Sequence, residues 1–101
     1  MERYRELAGN NGGKTSRDLE EIVKAAYNQR IDSVFVIPSE HQWGRFDPKT
    51  NTVELHPQAQ LQDEDLFDFA SVYTFLNGGN VYTEQPEQFP EDSKIAAILR
   101  Y

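Results

Sequence analysis

A short, continuous apolar run constrains the fold of this 101-residue chain more than any other feature. Residues 33–37 read Ser-Val-Phe-Val-Ile, and Pro38 ends the run. Because successive side chains of a strand point to opposite faces, a strand that is apolar at nearly every position is buried on both faces. Such strands belong to sheets that helices cover on both sides. The run therefore predicts a layered α/β domain.

Two segments with helical periodicity supply the predicted helices. The first spans Ser16–Gln29, and Thr15 with Asp18 forms a capping-box-like start. The second opens at the acidic residues 63–65, which suit the positive end of a helix, and stops at residues 77–79, Asn-Gly-Gly. Its apolar residues cover more than half of its circumference, which predicts heavy burial: Leu66, Phe67, Phe69, Ala70, Val72, Tyr73, Phe75 and Leu76.

Two alternating runs predict a β-hairpin over residues 42–56. Between them, Pro48 stands early in the turn and Asn51 stands where a left-handed backbone is needed. A four-residue loop then pairs Phe46 with Val53, Arg45 with Glu54, Gly44 with Leu55 and Trp43 with His56. By alternation, one face of the hairpin carries Trp43, Arg45, Glu54 and His56.

Two further strands are predicted at Asn80–Thr83 and Lys94–Arg100, separated by a proline-containing loop. The order helix, strand, hairpin, helix, strand, strand predicts a three-layer α/β/α sandwich on a mixed sheet. We expect residues 15–101 to form this domain, and residues 1–14 to be the end of an upstream helix and a linker. The predicted core comprises Phe35, Val36, Leu66, Phe69, Tyr73, Ile95 and Ile98.

Charge and composition bear on the partners of the chain. Ten Lys and Arg residues against 17 Asp and Glu give a net charge of −7, which disfavours general binding to nucleic acid. The absence of cysteine leaves no disulfide and no thiolate metal site. The sequence contains neither a signal peptide nor an apolar run of about 18 residues. We therefore expect a cytoplasmic monomer with no membrane partner.

Residues 8–15, Ala-Gly-Asn-Asn-Gly-Gly-Lys-Thr, match a loose phosphate-loop pattern. A phosphate loop should follow a buried strand, whereas residues 2–7 are polar and helix-like. A linker followed by a helix cap is therefore the favoured interpretation, and nucleotide binding is a remote alternative. No cofactor is predicted.

The histidines and acidic residues do not compose a recognisable catalytic or metal site. Glu40, His41 and His56 are a thin set for zinc, and the register places His56 opposite Trp43 rather than His41. The acidic run at residues 63–65 lacks further oxygen ligands at a defined spacing. We expect an exposed hairpin histidine, a solvated helix start, no metal and no catalytic residue.

Trp43 has two open interpretations. It is either a core residue beneath a helix or, with Arg45, the centre of a recognition patch, since Trp and Arg are enriched at interface hot spots. The second interpretation makes Trp43, Arg45, Glu54 and His56 the predicted partner-binding residues.

The end of the chain carries a family resemblance. Gly78-Gly79, a short strand, a loop and then Ile-Ala-Ala-Ile-Leu-Arg-Tyr at residues 95–101 resemble the end of the third domain of archaeal and eukaryotic class-1 translation release factors and of Pelota. The helix at 16–29 and the strand at 33–37 lie in the order of that domain. The resemblance implies a bacterial release-factor-like protein and the α/β/α fold of ribosomal kink-turn-binding proteins.

That resemblance implies a non-catalytic domain that binds a protein partner, a translational GTPase or a ribosomal component. The Gly-Gly-Gln hydrolysis motif of release factors is absent, so no catalytic residue is carried over. The alternative function is binding to structured RNA, of the kink-turn type or ribosomal, through Lys14, Thr15, Arg17 and Lys24. At the helix start, Thr15–Glu20 stands in place of the Asn-Glu-containing basic sequence of kink-turn binders.

Overall fold

The structure is a computed structural model that describes residues 2–9, 14–89 and 93–100. Its elements in chain order are α1 (Glu2–Gly9), β1 (Thr15–Ser16), α2 (Leu19–Tyr27), β2 (Ile31–Val36), β3 (Trp43–Asp47), β4 (Thr52–His56), β5 (Glu64–Asp65), α3 (Leu66–Leu76), β6 (Asn80–Thr83), a 3-10 turn (Pro86–Gln88) and β7 (Ile95–Leu99). The strands form a mixed sheet in the order β1-β7-β2-β6 and an antiparallel sheet in the order β4-β3-β5.

The apolar run occupies β2, an inner strand of the mixed sheet, and is buried on both faces. Val34 and Val36 contribute to a core cluster with α2 and α3. Phe35 faces the other way, into a cluster with Tyr4 of α1 and Phe89. The predicted α/β fold on a mixed sheet is confirmed. The second covering layer is α1, however, since α2 and α3 lie together on one face of the sheet.

A further core cluster joins α2 and α3 to the antiparallel sheet. Val23 of α2 packs with Leu66 and Phe69 of α3, and Phe46 and Val53 of the hairpin pack against them. Of the seven predicted core residues, six are buried: Phe35, Val36, Leu66, Phe69, Ile95 and Ile98. The seventh, Tyr73, is partly buried between two of the clusters.

The start of α2 differs from the prediction. Thr15 and Ser16 form β1 and pair with β7, and the cap of α2 is Asp18, whose carboxylate accepts a hydrogen bond from the Glu20 N–H at 3.2 Å. Without β1, β7 would be an edge strand whose outer backbone N–H and C=O groups lack partners. The residues that precede α2 pair with those groups instead of starting the helix. The Lys14 carbonyl likewise accepts from the Leu99 N–H at 2.7 Å.

The start of α3 also differs from the prediction. Glu64 and Asp65 form β5 and pair with β3, so that they extend the hairpin to three strands. Asp65 then caps α3, accepting from the Phe67 N–H at 3.1 Å. At the other end, the predicted glycine stop is confirmed, because Gly78 has a φ of +83°.

The prediction that α3 is heavily buried around its circumference is wrong for the C-terminal half of the helix. Val72, Phe75 and Leu76 are 43%, 72% and 67% exposed. The helix packs on the sheet and on α2, but nothing among the described residues covers its remaining side.

The N-terminal region contains the helix that the sequence predicts, and α1 buries Tyr4 against the sheet. The proposed domain boundary between residues 14 and 15 stays a prediction, and residues 10–13 of the proposed linker lie outside the described residues. No helix within the described ranges is long and apolar enough to cross a membrane.

Candidate docking surfaces

The hairpin has the predicted register throughout. Trp43 pairs with His56 and Arg45 pairs with Glu54, so these four side chains share one face. Asn51 takes the left-handed conformation, with a φ of +55°. Strand alternation and turn chemistry were therefore sufficient to bring the predicted partner-binding residues together.

Asp63 organises this face of the hairpin, which the sequence did not indicate. Its side chain has no exposed surface, and its Oδ1 accepts a hydrogen bond from Nε of Arg45 at 3.0 Å. Its Oδ2 lies 2.7 Å from Nδ1 of His56 and accepts from the Gln60 N–H at 3.0 Å. The expectation of a solvated helix start is thus wrong at Asp63, because the loop after β4 folds back across the hairpin and encloses its carboxylate.

The protonation of Asp63 reflects these contacts. Burial alone raises the pKa of its carboxyl group, but the Gln60 N–H, the His56 ring and the Arg45 guanidinium outweigh burial and hold the pKa below the ordinary value. The carboxylate therefore stays charged and holds Arg45 and His56 in fixed positions. Arg45 also donates to the Leu61 carbonyl at 3.1 Å.

Trp43 lies at the edge of this arrangement and is neither fully buried nor fully exposed. Its ring stacks on His41, with centroids 5.8 Å apart and planes 15° apart. His41 is exposed, as predicted, and its Nδ1 lies 2.8 Å from Oδ2 of Asp65. Among the described residues, Trp43 belongs to none of the three buried clusters.

The hairpin face combines aromatic, cationic and anionic side chains. His56 of this face and the neighbouring His41 contact different aspartates, Asp63 and Asp65 respectively. Within residues 2–9, 14–89 and 93–100, no group of three His, Cys, Asp or Glu side chains is placed to hold a metal ion. The face presents to solvent a partly buried indole, an Arg45 side chain that is 43% exposed, and the exposed Glu54 carboxylate.

A second surface lies on α3 and was missed by sequence reasoning. Asp68, Val72, Phe75 and Leu76 stand at i, i+4, i+7 and i+8, which is one face of a helix, and all four are exposed. We call these residues the α3 stripe. Near its acidic end, burial and then the charge of Asp68 raise the pKa of Glu64. The signal that could have found this surface is the width of the apolar face of α3. Apolar residues cover more of the helix circumference than the sheet and α2 can bury.

The residues of the alternative RNA site do not form one patch. Thr15 and Arg17 line one cavity, with Lys14 beside them in the chain, whereas Lys24 lines a separate groove with Asp18, Glu20 and Glu21. The elements around the loose phosphate-loop pattern are a preceding helix, α1, and a following strand, β1. This is the reverse of the strand-then-helix order that a phosphate loop requires. Residues 10–13 of the pattern lie outside the described residues.

Comparisons with known proteins bear on the fold. No protein-family model and no curated protein matches the chain. Among solved structures, the chain is similar to the C-terminal domain of a peptide chain release factor from Methanosarcina mazei, with a TM-score of 0.73 and 14% sequence identity. The match covers 99% of this chain and 78% of that chain. The resemblance read from the sequence is thus confirmed at the level of structure: this chain has the fold of a release-factor C-terminal domain.

Proposed function

We propose that this chain is a non-catalytic protein-docking domain of a release-factor-like, translation-associated protein that works in the cytoplasm. The observation that carries the docking role is the α3 stripe, in which three large apolar side chains stand exposed on one helix face. Contiguous exposed apolar residues rimmed by charge mark interaction sites, whereas single exposed apolar residues need no explanation. The fold and the residues at 95–101 support the link to translation.

The hairpin face is the second proposed contact region, with Trp43, Arg45, Glu54 and His56 as partner-binding residues. Asp63 holds Arg45 and His56 rigidly, so little side-chain entropy is lost when a partner binds them. The exposed part of the Trp43 ring offers apolar area at a low entropic cost.

A protein partner fits these surfaces better than bare RNA does. The net charge of −7 opposes phosphate backbones, and the α3 stripe carries Asp68 and no basic residue. The family resemblance implies a translational GTPase or a ribosomal component as that partner. The domain needs no cofactor for this role and acts as a monomer.

Capture from a cell lysate on the immobilised chain tests the proposal, with and without nuclease and at two salt concentrations. We expect a specific protein to be retained after nuclease treatment and to change little with salt, since an apolar interface is weakly screened. Phe75→Ser should abolish retention of that protein, and Trp43→Ala should weaken it.

Leu61→Ser is the matched control, because the Leu61 side chain is 86% exposed and only its backbone carbonyl, which the substitution keeps, contacts the hairpin face through Arg45. It removes a comparable exposed apolar side chain and should leave capture unchanged. Nuclease-sensitive capture, or equal loss in Phe75→Ser and Leu61→Ser, would overturn the docking proposal.

A further inference from the structure

The mixed sheet has an open edge at β6 that the docking proposal does not use. β6 pairs with β2, and within residues 2–9, 14–89 and 93–100 no strand lies on its other side. Just after β6, the Glu84 N–H donates to the Val36 carbonyl at 3.0 Å and so points towards β2. Because the direction of the backbone groups alternates along a strand, those of Val81 and Thr83 point away from the sheet.

The sequence of β6 does not protect this edge. Proteins commonly block an exposed strand edge with a charged residue, a proline or a bulge. β6 reads Asn-Val-Tyr-Thr, and its four residues pair with Ser33–Val36 in unbroken register. By contrast, β4 at the edge of the antiparallel sheet carries the charged Glu54. The backbone of β6 is therefore suited to accept a further strand.

One flank of α3 stands beside the β6 edge. The helix contacts β2, β6 and α2, and its residues Leu66 and Phe69 pack towards α2 and the hairpin. By helical periodicity, Asp68 and Phe75 lie on the opposite flank, on the side of the β6 edge. The turn at residues 77–79 reverses the chain, so Phe75 lies near the start of β6 and Asp68 near its end. The two are about 10 Å apart along the helix, which matches the length of the strand.

The other face of the edge carries Tyr82. Its ring stacks on Phe35, with centroids 5.3 Å apart and planes 19° apart, and yet Tyr82 is 46% exposed. The core thus holds the ring in place while part of it faces solvent. A side chain that an added strand directs to this face would meet a fixed apolar surface.

The charge near the end of β6 favours a cation. Asp68 is exposed and takes part in no ion pair within the described ranges. Burial and then the charge of Asp68 raise the pKa of Glu64, which shows that the negative charge is felt by its neighbour. A second copy of this chain is a poor occupant of the edge, since each copy carries a net charge of −7.

We propose that β6 binds an extended segment of a protein partner, with alternating apolar side chains and a basic residue at the end nearest Asp68. Such a segment pairs its backbone with the outward groups of Val81 and Thr83, and its alternate side chains contact Phe75 and Tyr82. The inference rests on the proposed docking function and specifies the conformation and charge of the bound segment.

Amide hydrogen exchange of the full chain tests this assignment. The probe is a short synthetic peptide of alternating valine and threonine with two lysines at one end. We expect saturable binding that slows exchange of the Val81 and Thr83 N–H groups at least about tenfold, whereas the Tyr82 N–H, which points towards β2, changes little. The same peptide N-methylated throughout has no backbone donors and should not bind. Glutamates in place of the lysines should weaken binding about threefold or more.

Variants of the chain make the test specific to the edge. Thr83→Pro removes one outward N–H and should weaken peptide binding about tenfold or more. Gln85→Pro is the matched control, because Gln85 lies just beyond β6 and its φ of −76° already suits proline. It should leave the affinity within about twofold. Asp68→Asn should weaken binding about threefold. Amide spectra report folding, and if Thr83→Pro does not fold, exchange at Val81 and Thr83 in the wild type decides.

Several results would overturn the proposal. They are absent binding, binding that leaves Val81 and Thr83 unprotected, equal binding of the N-methylated peptide, and unchanged affinity in a folded Thr83→Pro. Dimers in sedimentation, with the edge protected before peptide is added, would assign it to a second copy instead. The docking function fails separately: lysate capture that is lost in Phe75→Ser but kept in Thr83→Pro supports docking and excludes strand addition.

Discussion

Truncation of two phenylalanines in the same helix should have very different effects on stability. Phe69 is 8% exposed and packs on Phe46 and Tyr73, with ring centroids 5.6 and 4.5 Å away. Phe75 lies six residues further along α3 and is 72% exposed. Phe69→Ala and Phe75→Ala thus remove the same atoms from one helix in opposite environments.

The expected magnitudes follow from burial. Phe69→Ala removes a nearly complete set of core contacts and leaves a cavity, which costs about 3–5 kcal/mol. For Phe75, only the remaining 28% of its surface is buried. For a side chain of about 200 Å² this is about 56 Å², which at about 25 cal/mol per Å² limits the loss to about 1.4 kcal/mol.

Urea unfolding followed by circular dichroism measures both free energies of unfolding. A domain of this size is stable by about 5–15 kcal/mol, so the Phe69→Ala loss is a large part of the total and shifts the midpoint strongly. Equal losses in the two variants would refute the assignment of the α3 stripe to the surface. A loss below about 1.5 kcal/mol in Phe69→Ala would refute the packing of α3 against the hairpin.

Three further predictions concern the hairpin. Gly44→Ala should destabilise the chain by about 2–3 kcal/mol in thermal melts, because a Cβ at this position would overlap the Glu54 carbonyl oxygen across the strand pair; a neutral substitution would contradict the register. Asp63→Asn should cost stability at neutral pH, and since the pKa of Asp63 is lowered in the folded state, the difference from wild type should close as the pH falls below about 4. A gap that instead widens in acid, in denaturant melts at stepped pH, would show the reverse linkage. Acrylamide should quench Trp43 fluorescence partially, and complete protection with blue-shifted emission would show that the indole serves the core.

Local patterns in the sequence determined most of the architecture. The apolar run at residues 33–37 predicted a strand buried on both faces, and the Gly78 stop and the hairpin register were read correctly. Each of these depends on contacts or conformations within a few residues, where alternation and turn chemistry leave few options. The candidate hairpin site was therefore predictable as a set of residues sharing one face.

Contacts between distant segments were not predictable in the same way. Thr15–Ser16 and Glu64–Asp65 read as helix starts, yet both pair with strand edges, because an open edge recruits whichever backbone lies beside it. Of the acidic residues near the two helix starts, one caps each helix: Asp18 caps α2 and Asp65 caps α3.

The same distinction between local patterns and distant contacts applies to the two proposed surfaces. The sequence by itself determined that this chain forms an α/β domain, which residues share the hairpin face and that its overall charge is acidic. Only the tertiary structure decided that Asp63 is enclosed between Arg45 and His56, and that the α3 stripe is left uncovered. The physical reason is that periodicity states which side chains share a face of an element, whereas burial depends on what the rest of the chain places against that face.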